Sequence, residues 1–292
     1  MSLTDDQVLH LEGKANHIRQ SIIKALLAAG SGHTAGPLDM ADIFAYLYFH
    51  ALRHNPRDAT WSERDRVILS NGHICPVLYS TMAHAGYFPV HEFETTLRKF
   101  GSRFQGHPHR EFMPEVETSS GPLGSGLSQA VGMAIADRIT SGRTSAKQFY
   151  CLTGDGELDC GQIWEAAMLA GKEKLQNLTV IVDRNNIQID GFTEDIMPLN
   201  PLADKWAAFG WHVQEIDGHN FRMIDEAIGQ AKAVFDKPSV IIANTIASKG
   251  VPEFERKFEW HGKPPNKEEA EIAMKALRTW GGKVHNEHSQ RD

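Results

Sequence analysis

The chain reads as an α/β protein, a doubly wound, mainly parallel sheet with helices on both faces. Three observations predict this. Short apolar runs alternate with amphipathic segments through the second half of the sequence, the pattern of consecutive βαβ units. The runs "FYCLTG", "LTVIVDR" and "SVIIANT" are largely apolar rather than alternating, as expected where helices cover both faces of a sheet. The 292 residues, 41% of them hydrophobic, suffice for one large core.

The first helix is expected from about Thr4 to Ala29, with Val8, Leu11, Ala15, Ile18, Ile22 and Leu26 on one face. The turn "GSGHTAGP" ends it, and Pro37 suits the first turn of a second helix through Ala51. "DRVILS" (Asp65–Ser70) is a short buried strand running into Asn71-Gly72-His73. Helices follow at Pro76–Ala85 and Val90–Lys99. The segment "GSRFQGHPHREFMPEVETSSGPLGSG" has no periodicity, and a loop this long inside a compact domain usually has a function. It leads to a helix, Leu127–Ile139. Then come strand Phe149–Gly154, helix Gln162–Ala170, strand Leu178–Arg184, helix Pro201–Phe209 and strand "WHVQEI". Helix Phe221–Val234, strand Ser239–Thr245 and helix Lys267–Trp280 complete the series. One domain is expected over residues 1–280, with a polar tail over 281–292.

The net charge of −7 argues against a nucleic-acid-binding surface, and any phosphorylated ligand must be met by local groups. The three cysteines show no CxxC spacing and read as free thiols. No apolar run approaches bilayer length, and the acidic, amphipathic N-terminus is not a signal peptide. A cytoplasmic protein is expected.

The stretch "GDGELDCGQIWEAAMLAGKEKLQNLTVIVDRNNIQIDG" (Gly154–Gly191) carries the chemistry. Its Asp155 and Asn185 each follow a strand of one βαβ unit, so they converge at neighbouring carboxyl ends, where open α/β sheets bind ligands. A carboxylate, an amide oxygen and a backbone carbonyl just beyond make an incomplete oxygen shell. That suits Mg²⁺ or Ca²⁺ completed by phosphate and water. Gly154 and Gly156 permit close approach of a diphosphate. Taken alone, either "GDG" or "NN" is an ordinary turn former; their joint occurrence at this spacing, closed by Gly191, favours a ligand site. The pattern resembles the thiamine diphosphate-binding motif.

"SGHTAGP" (Ser31–Pro37), "DRVILSNGH" (Asp65–His73), "GHP" (Gly106–Pro108), "ETSSGPLGSG" (Glu117–Gly126) and "EWHGKPPN" (Glu259–Asn266) follow in that order around it. Together they resemble the N-terminal half of a transketolase over nearly the whole chain. The resemblance implies that His33 and His107 contact sugar hydroxyls and that His73 and His261 lie near the diphosphate and the reacting carbons. Imidazole titrates near neutral pH and suits such proton traffic. His109, His212 and His219 match no motif and read as solvated loop residues. The resemblance further implies that Gly121, Pro122, Leu123 and Gly124 meet the cofactor's aminopyrimidine through backbone atoms. It places the metal on Asp155, Asn185 and the carbonyl of Ile187, with the Gly156 N–H on the diphosphate. Ile189, in the same loop, is given no role.

The implied reaction is transfer of a two-carbon ketol unit from a ketose (phosphate) to an aldose (phosphate). The family's cofactor-activating glutamate lies in a second domain that this sequence does not contain. A separately encoded C-terminal subunit carrying the pyrimidine domain is therefore expected, in an α₂β₂ heterotetramer active only when assembled. The sequence departs from the family in reading "ELDCGQ", with Cys160 where a glutamate is usual at the contact between cofactor sites; Glu157 or Asp159 could compensate. The rival readings are the α subunit of a 2-oxo acid dehydrogenase-type enzyme and a non-catalytic paralogue. Which sugars are used is not encoded in any motif of this half.

Overall fold

The computed structural model describes residues 2–141 and 145–279. Trp280 of the last expected helix, and the polar tail, lie outside the described residues. The chain runs α1 (Asp5–Ala29), α2 (Ala35–Asp39), α3 (Ala41–Tyr46), β1 (Arg66–Leu69), α4 (Cys75–His84), α5 (Val90–Thr96), α6 (Ser125–Ser141) and β2 (Phe149–Gly154). It continues with α7 (Gly161–Glu173), β3 (Leu178–Arg184), β4 (Ile187–Gln188), β5 (Gly191–Phe192), α8 (Thr193–Ile196) and α9 (Leu202–Ala208). The series closes with β6 (His212–Asp217), α10 (Phe221–Ala233), β7 (Ser239–Asn244) and α11 (Lys267–Thr279).

The main sheet has the order β1-β2-β3-β7-β6, and every neighbouring pair is parallel. All carboxyl ends therefore share one edge. Successive side chains of a strand enter opposite layers. Tyr150 and Leu152 join the core under α1, α3, α4 and α10, whereas Phe149 and Cys151 join the core under α6, α7 and α9. This double coverage explains the uninterrupted apolar runs.

Thr4 caps α1 in a reciprocal capping box with Gln7, and Gly30 ends it at φ 63°. The expected face is confirmed: Leu11, Ala15, Ile18, Ile22 and Leu26 are buried. The single helix expected over Pro37–Ala51 is instead divided. The backbone opens at Met40 to ψ −1°, and the last turn, Leu47–Ala51, is a π-helical turn. Burial periodicity carries no signal for either change. α5 stops short of Lys99 because Leu97 opens to ψ 129° and Arg98 then takes φ 58°. The long aperiodic segment is held by side chains. Arg103 bridges Glu92 and Glu115, Arg110 donates to the carbonyls of Val116 and Glu117, and Glu117 accepts from Arg64 and Arg66. Among the described residues no helix is long and apolar enough to cross a membrane.

Candidate active site at the carboxyl edge of the sheet

Asp155 and Asn185 follow β2 and β3, which pair in register up to Gly154 opposite Asp183. The Asp155 carboxylate is 1% exposed. Its Oδ1 accepts from the Gly156 N–H at 2.7 Å, and its Oδ2 accepts from the Asn186 N–H at 2.7 Å and from Arg184 at 3.2 Å. A carboxylate offers about four acceptor positions, so one on Oδ1 remains for a cation. Burial raises the Asp155 pKa to about 6, opposed chiefly by Arg184; a divalent ion would hold it charged.

The Asn185 amide donates both hydrogens inward, to Asp39 and Asp183 at 3.0 Å each, while its oxygen accepts from the Ile187 N–H at 3.0 Å. β4 and β5 form a hairpin in which Thr193 donates to the carbonyl of Asn186. Ile187 opposite Phe192 is then a pair that exchanges no hydrogen bonds, which leaves its carbonyl unused by the partner strand. A carboxylate, an amide oxygen and a backbone carbonyl are oxygen donors of the kind that fits Mg²⁺ or Ca²⁺. Beside it, a Cβ built on Gly154 meets nothing nearer than Asn71 at 3.9 Å. Both polar side-chain atoms of Asn71 are buried without a partner in the chain. These features fit a bound diphosphate. Next to Asn186, a cavity of about 490 Å³ at the ends of β6 and β7 is lined by the cations Lys249 and Arg256 and by the acids Glu215 and Asp217.

Three of the four motif histidines converge. The ring centroids of His33 and His73 lie 4.9 Å apart, those of His73 and His261 5.2 Å, and those of His33 and His261 5.5 Å. His107 joins them from the long loop, where it packs on Gly121: a Cβ there would lie 3.5 Å from its ring. Burial lowers the pKa of all four, that of His33 to about 4, with the neighbouring imidazoles and Arg98 adding to the effect on His33. These shifts favour the neutral form of all four. The Nδ1 of His33 is buried and has no partner within the chain. By contrast His219 is not the solvated loop residue its turn suggested. It is buried, bonded through Nδ1 to Asp42 at 2.8 Å and through Nε2 to the Ile246 N–H at 2.8 Å. Asp42 also takes Arg19 in a fully buried pair, which is why an imidazole can be accommodated there.

The turn Gly121–Gly124 adopts positive φ at both glycines, 149° and 86°. Pro122 sits between them, and the side chain of Leu123 is exposed. Glu157 holds the turn in place. Buried to 2%, it accepts from the Gly124 N–H at 2.7 Å, the Gly154 N–H at 3.0 Å and the Ser70 hydroxyl at 2.5 Å. Cys160 lies against the same turn, 2.8 Å from where a Gly124 Cβ would be, and is partly exposed. Burial first, then Glu157 and Asp159, raise its thiol pKa, so it remains neutral. Of the two neighbouring acids, Glu157 is engaged internally, whereas Asp159 is exposed and accepts from Gln188.

Sequence reasoning gave no site role to Arg184, Asp39, Asp183 or Asn71, and considered Glu157 only as a substitute for the glutamate expected at Cys160. Each lies in a segment that reads as helix, buried strand or turn. The one available signal was charge at the end of an apolar run, as in "VIVDRNN", which demands buried partners.

The family described as "Transketolase, thiamine diphosphate binding domain" matches residues 12–287. The chain is 42% identical over 276 residues to a component of the 6-deoxy-6-sulfo-D-fructose transketolase of Clostridium sp. (strain MSTE9), covering 94% of this chain and 99% of that one. It is 41% identical over 271 residues to one of the subunits of the apulose-4-phosphate transketolase of Actinobacillus succinogenes, covering 92% and 96%. The crystal structure of the Pichia stipitis transketolase with sedoheptulose 7-phosphate superposes with a TM-score of 0.86 at 34% identity, covering 93% of this chain and 41% of that one. The chain thus spans about two-fifths of that solved transketolase. Fold and sequence agree, and the chain belongs to the transketolase family, as its N-terminal, thiamine diphosphate-binding part.

Proposed function

We propose that this chain is the diphosphate-binding subunit of a two-subunit transketolase, active with a separately encoded pyrimidine-domain subunit in an α₂β₂ assembly in the cytoplasm. Asp155, Asn185 and the Ile187 carbonyl hold a divalent cation, Mg²⁺ or Ca²⁺. Gly154 and the Gly156 N–H receive the diphosphate, and Gly121–Gly124 meet the aminopyrimidine. Thiamine diphosphate, when bound, serves as the electron sink for making and breaking the ketose carbon–carbon bond.

The residues of this chain orient the sugar and move its protons. The observation that carries the reading is the convergence of His33, His73 and His261 within 5.5 Å of one another at the edge that bears Asp155 and Asn185. A neutral imidazole donates from one ring nitrogen and accepts at the other, so the cluster can bind successive hydroxyls and pass a proton between them. The free Nδ1 of His33 is one such contact. The relatives named for a sulfonated fructose and for apulose 4-phosphate favour ketoses with an anionic tail. The test is two-carbon transfer between such sugars by the chain mixed with its partner subunit. Activity requiring both chains and a divalent ion is expected; pyruvate-dependent CO₂ release in its place would favour the 2-oxo acid dehydrogenase reading.

A further inference from the structure

We propose that Asp39 and Asp183 are positioning residues that fix the Asn185 amide with its oxygen toward the divalent cation. The inference deepens the metal-diphosphate reading above and rests on it. An amide is nearly symmetric in shape: turned by half a rotation, it presents two N–H donors where a cation ligand is needed. Asn185 therefore requires something that distinguishes its two ends. Asp39 and Asp183 each place Oδ2 3.0 Å from the Asn185 nitrogen, and both are buried, to 0% and 1%. The third contact agrees, because the backbone N–H of Ile187 can only donate and so selects the amide oxygen.

The clamp is itself braced. The second oxygen of Asp39 accepts from the Ser248 N–H at 2.5 Å, and that of Asp183 accepts from the Thr245 hydroxyl at 2.5 Å. All four carboxylate oxygens thus face donors, drawn from the end of β3 and from the segment after β7. Neither acid can rotate away without leaving a buried donor unpaired. Asp39 reaches the site from α2, 146 residues from Asn185 in sequence. It can therefore be changed without touching the metal loop.

A double-mutant cycle separates orientation from charge. Mn²⁺ affinity is measured on the full chain with saturating thiamine diphosphate for wild type, Asp39→Ala, Asn185→Asp and the double variant. Two carboxylate oxygens are equivalent, so an aspartate side chain at the ligand position needs no clamp. We expect Asp39→Ala to weaken Mn²⁺ binding by on the order of 10-fold or more with Asn185 present, and not to weaken it in the Asn185→Asp background. Asp39→Asn, which keeps the volume, should behave alike. Its one oxygen is taken by the Ser248 N–H and its amino group faces that of Asn185, and it carries the same cycle if the alanine variant does not fold. Equal loss in both backgrounds would mean simple cation attraction or disordered packing and would overturn the proposal, as would no loss in either. Absence of saturable Mn²⁺ binding in wild type would instead remove the metal-diphosphate reading together with the proposal.

Discussion

Glu157 accepts the backbone N–H of Gly124 at 2.7 Å, and this bond joins the Gly121–Gly124 turn to the tip of β2. Through its other oxygen the same carboxylate accepts from Gly154, so one side chain sets the spacing between the two surfaces proposed to hold opposite ends of the cofactor. Glu157→Gln replaces an acceptor with a donor facing N–H groups that cannot turn. We predict a loss of about 1–3 kcal/mol in unfolding free energy, read from urea denaturation, together with weaker thiamine diphosphate binding. A change within a few tenths of a kcal/mol would show that the bond does not restrain the turn.

The histidine cluster predicts a pH dependence of stability. His33 has a folded pKa of about 4 against an ordinary value of 6.5, so the unfolded chain binds the proton first. Its contribution is complete above about pH 6.5 and is lost as the pH falls toward 4. At roughly 1.4 kcal/mol per pKa unit, His33 accounts for on the order of 3 kcal/mol over that interval. The His33→Gln variant should therefore lose about that much less stability than wild type between pH 7 and pH 4. Parallel stability–pH curves would contradict it.

Cys160 lies against the turn at the position where the family resemblance leads to the expectation of a glutamate. An introduced carboxylate there would lie beside Glu157 and Asp159, which already raise the pKa of the thiol, and like charges would favour its protonated form. Cys160→Glu is predicted to leave Mn²⁺ affinity unchanged while altering association with the partner subunit or communication between its sites. Sedimentation and steady-state kinetics test this; unchanged values in both would remove the role. Of the three thiols, only Cys160 is partly exposed, and it alone should react with a disulfide reagent in the folded chain.

The strands were legible to within about a residue; for β2, β3 and β7 this is because burial on both faces leaves an apolar run that local composition records, whereas the edge strand β6 is mostly half-exposed. The β4–β5 hairpin was not, since two-residue strands are too short to carry a period. At the site, Asp155, Asn185 and His73 stand out because they follow strands, and His33, His107 and His261 because they lie in glycine- and proline-containing loops. Asp39 and Glu157 do not: a helix position and a turn acid gain meaning only from partners distant in sequence, such as Asn185 for the one and Gly124 for the other. His219 shows the opposite failure, a turn histidine whose carboxylate partner lies 177 residues away.

Titration of thiamine diphosphate into the assembled protein, with Mg²⁺ and with chelator, tests the central claim most directly. The account predicts saturable binding that requires the divalent ion and is abolished by Asp155→Ala. It also predicts that Gly154→Ala weakens binding at least tenfold at nearly unchanged thermal stability, because the nearest atom a methyl there would meet is 3.9 Å away. Binding that is indifferent to the metal and to both substitutions, or no binding at all, would contradict it.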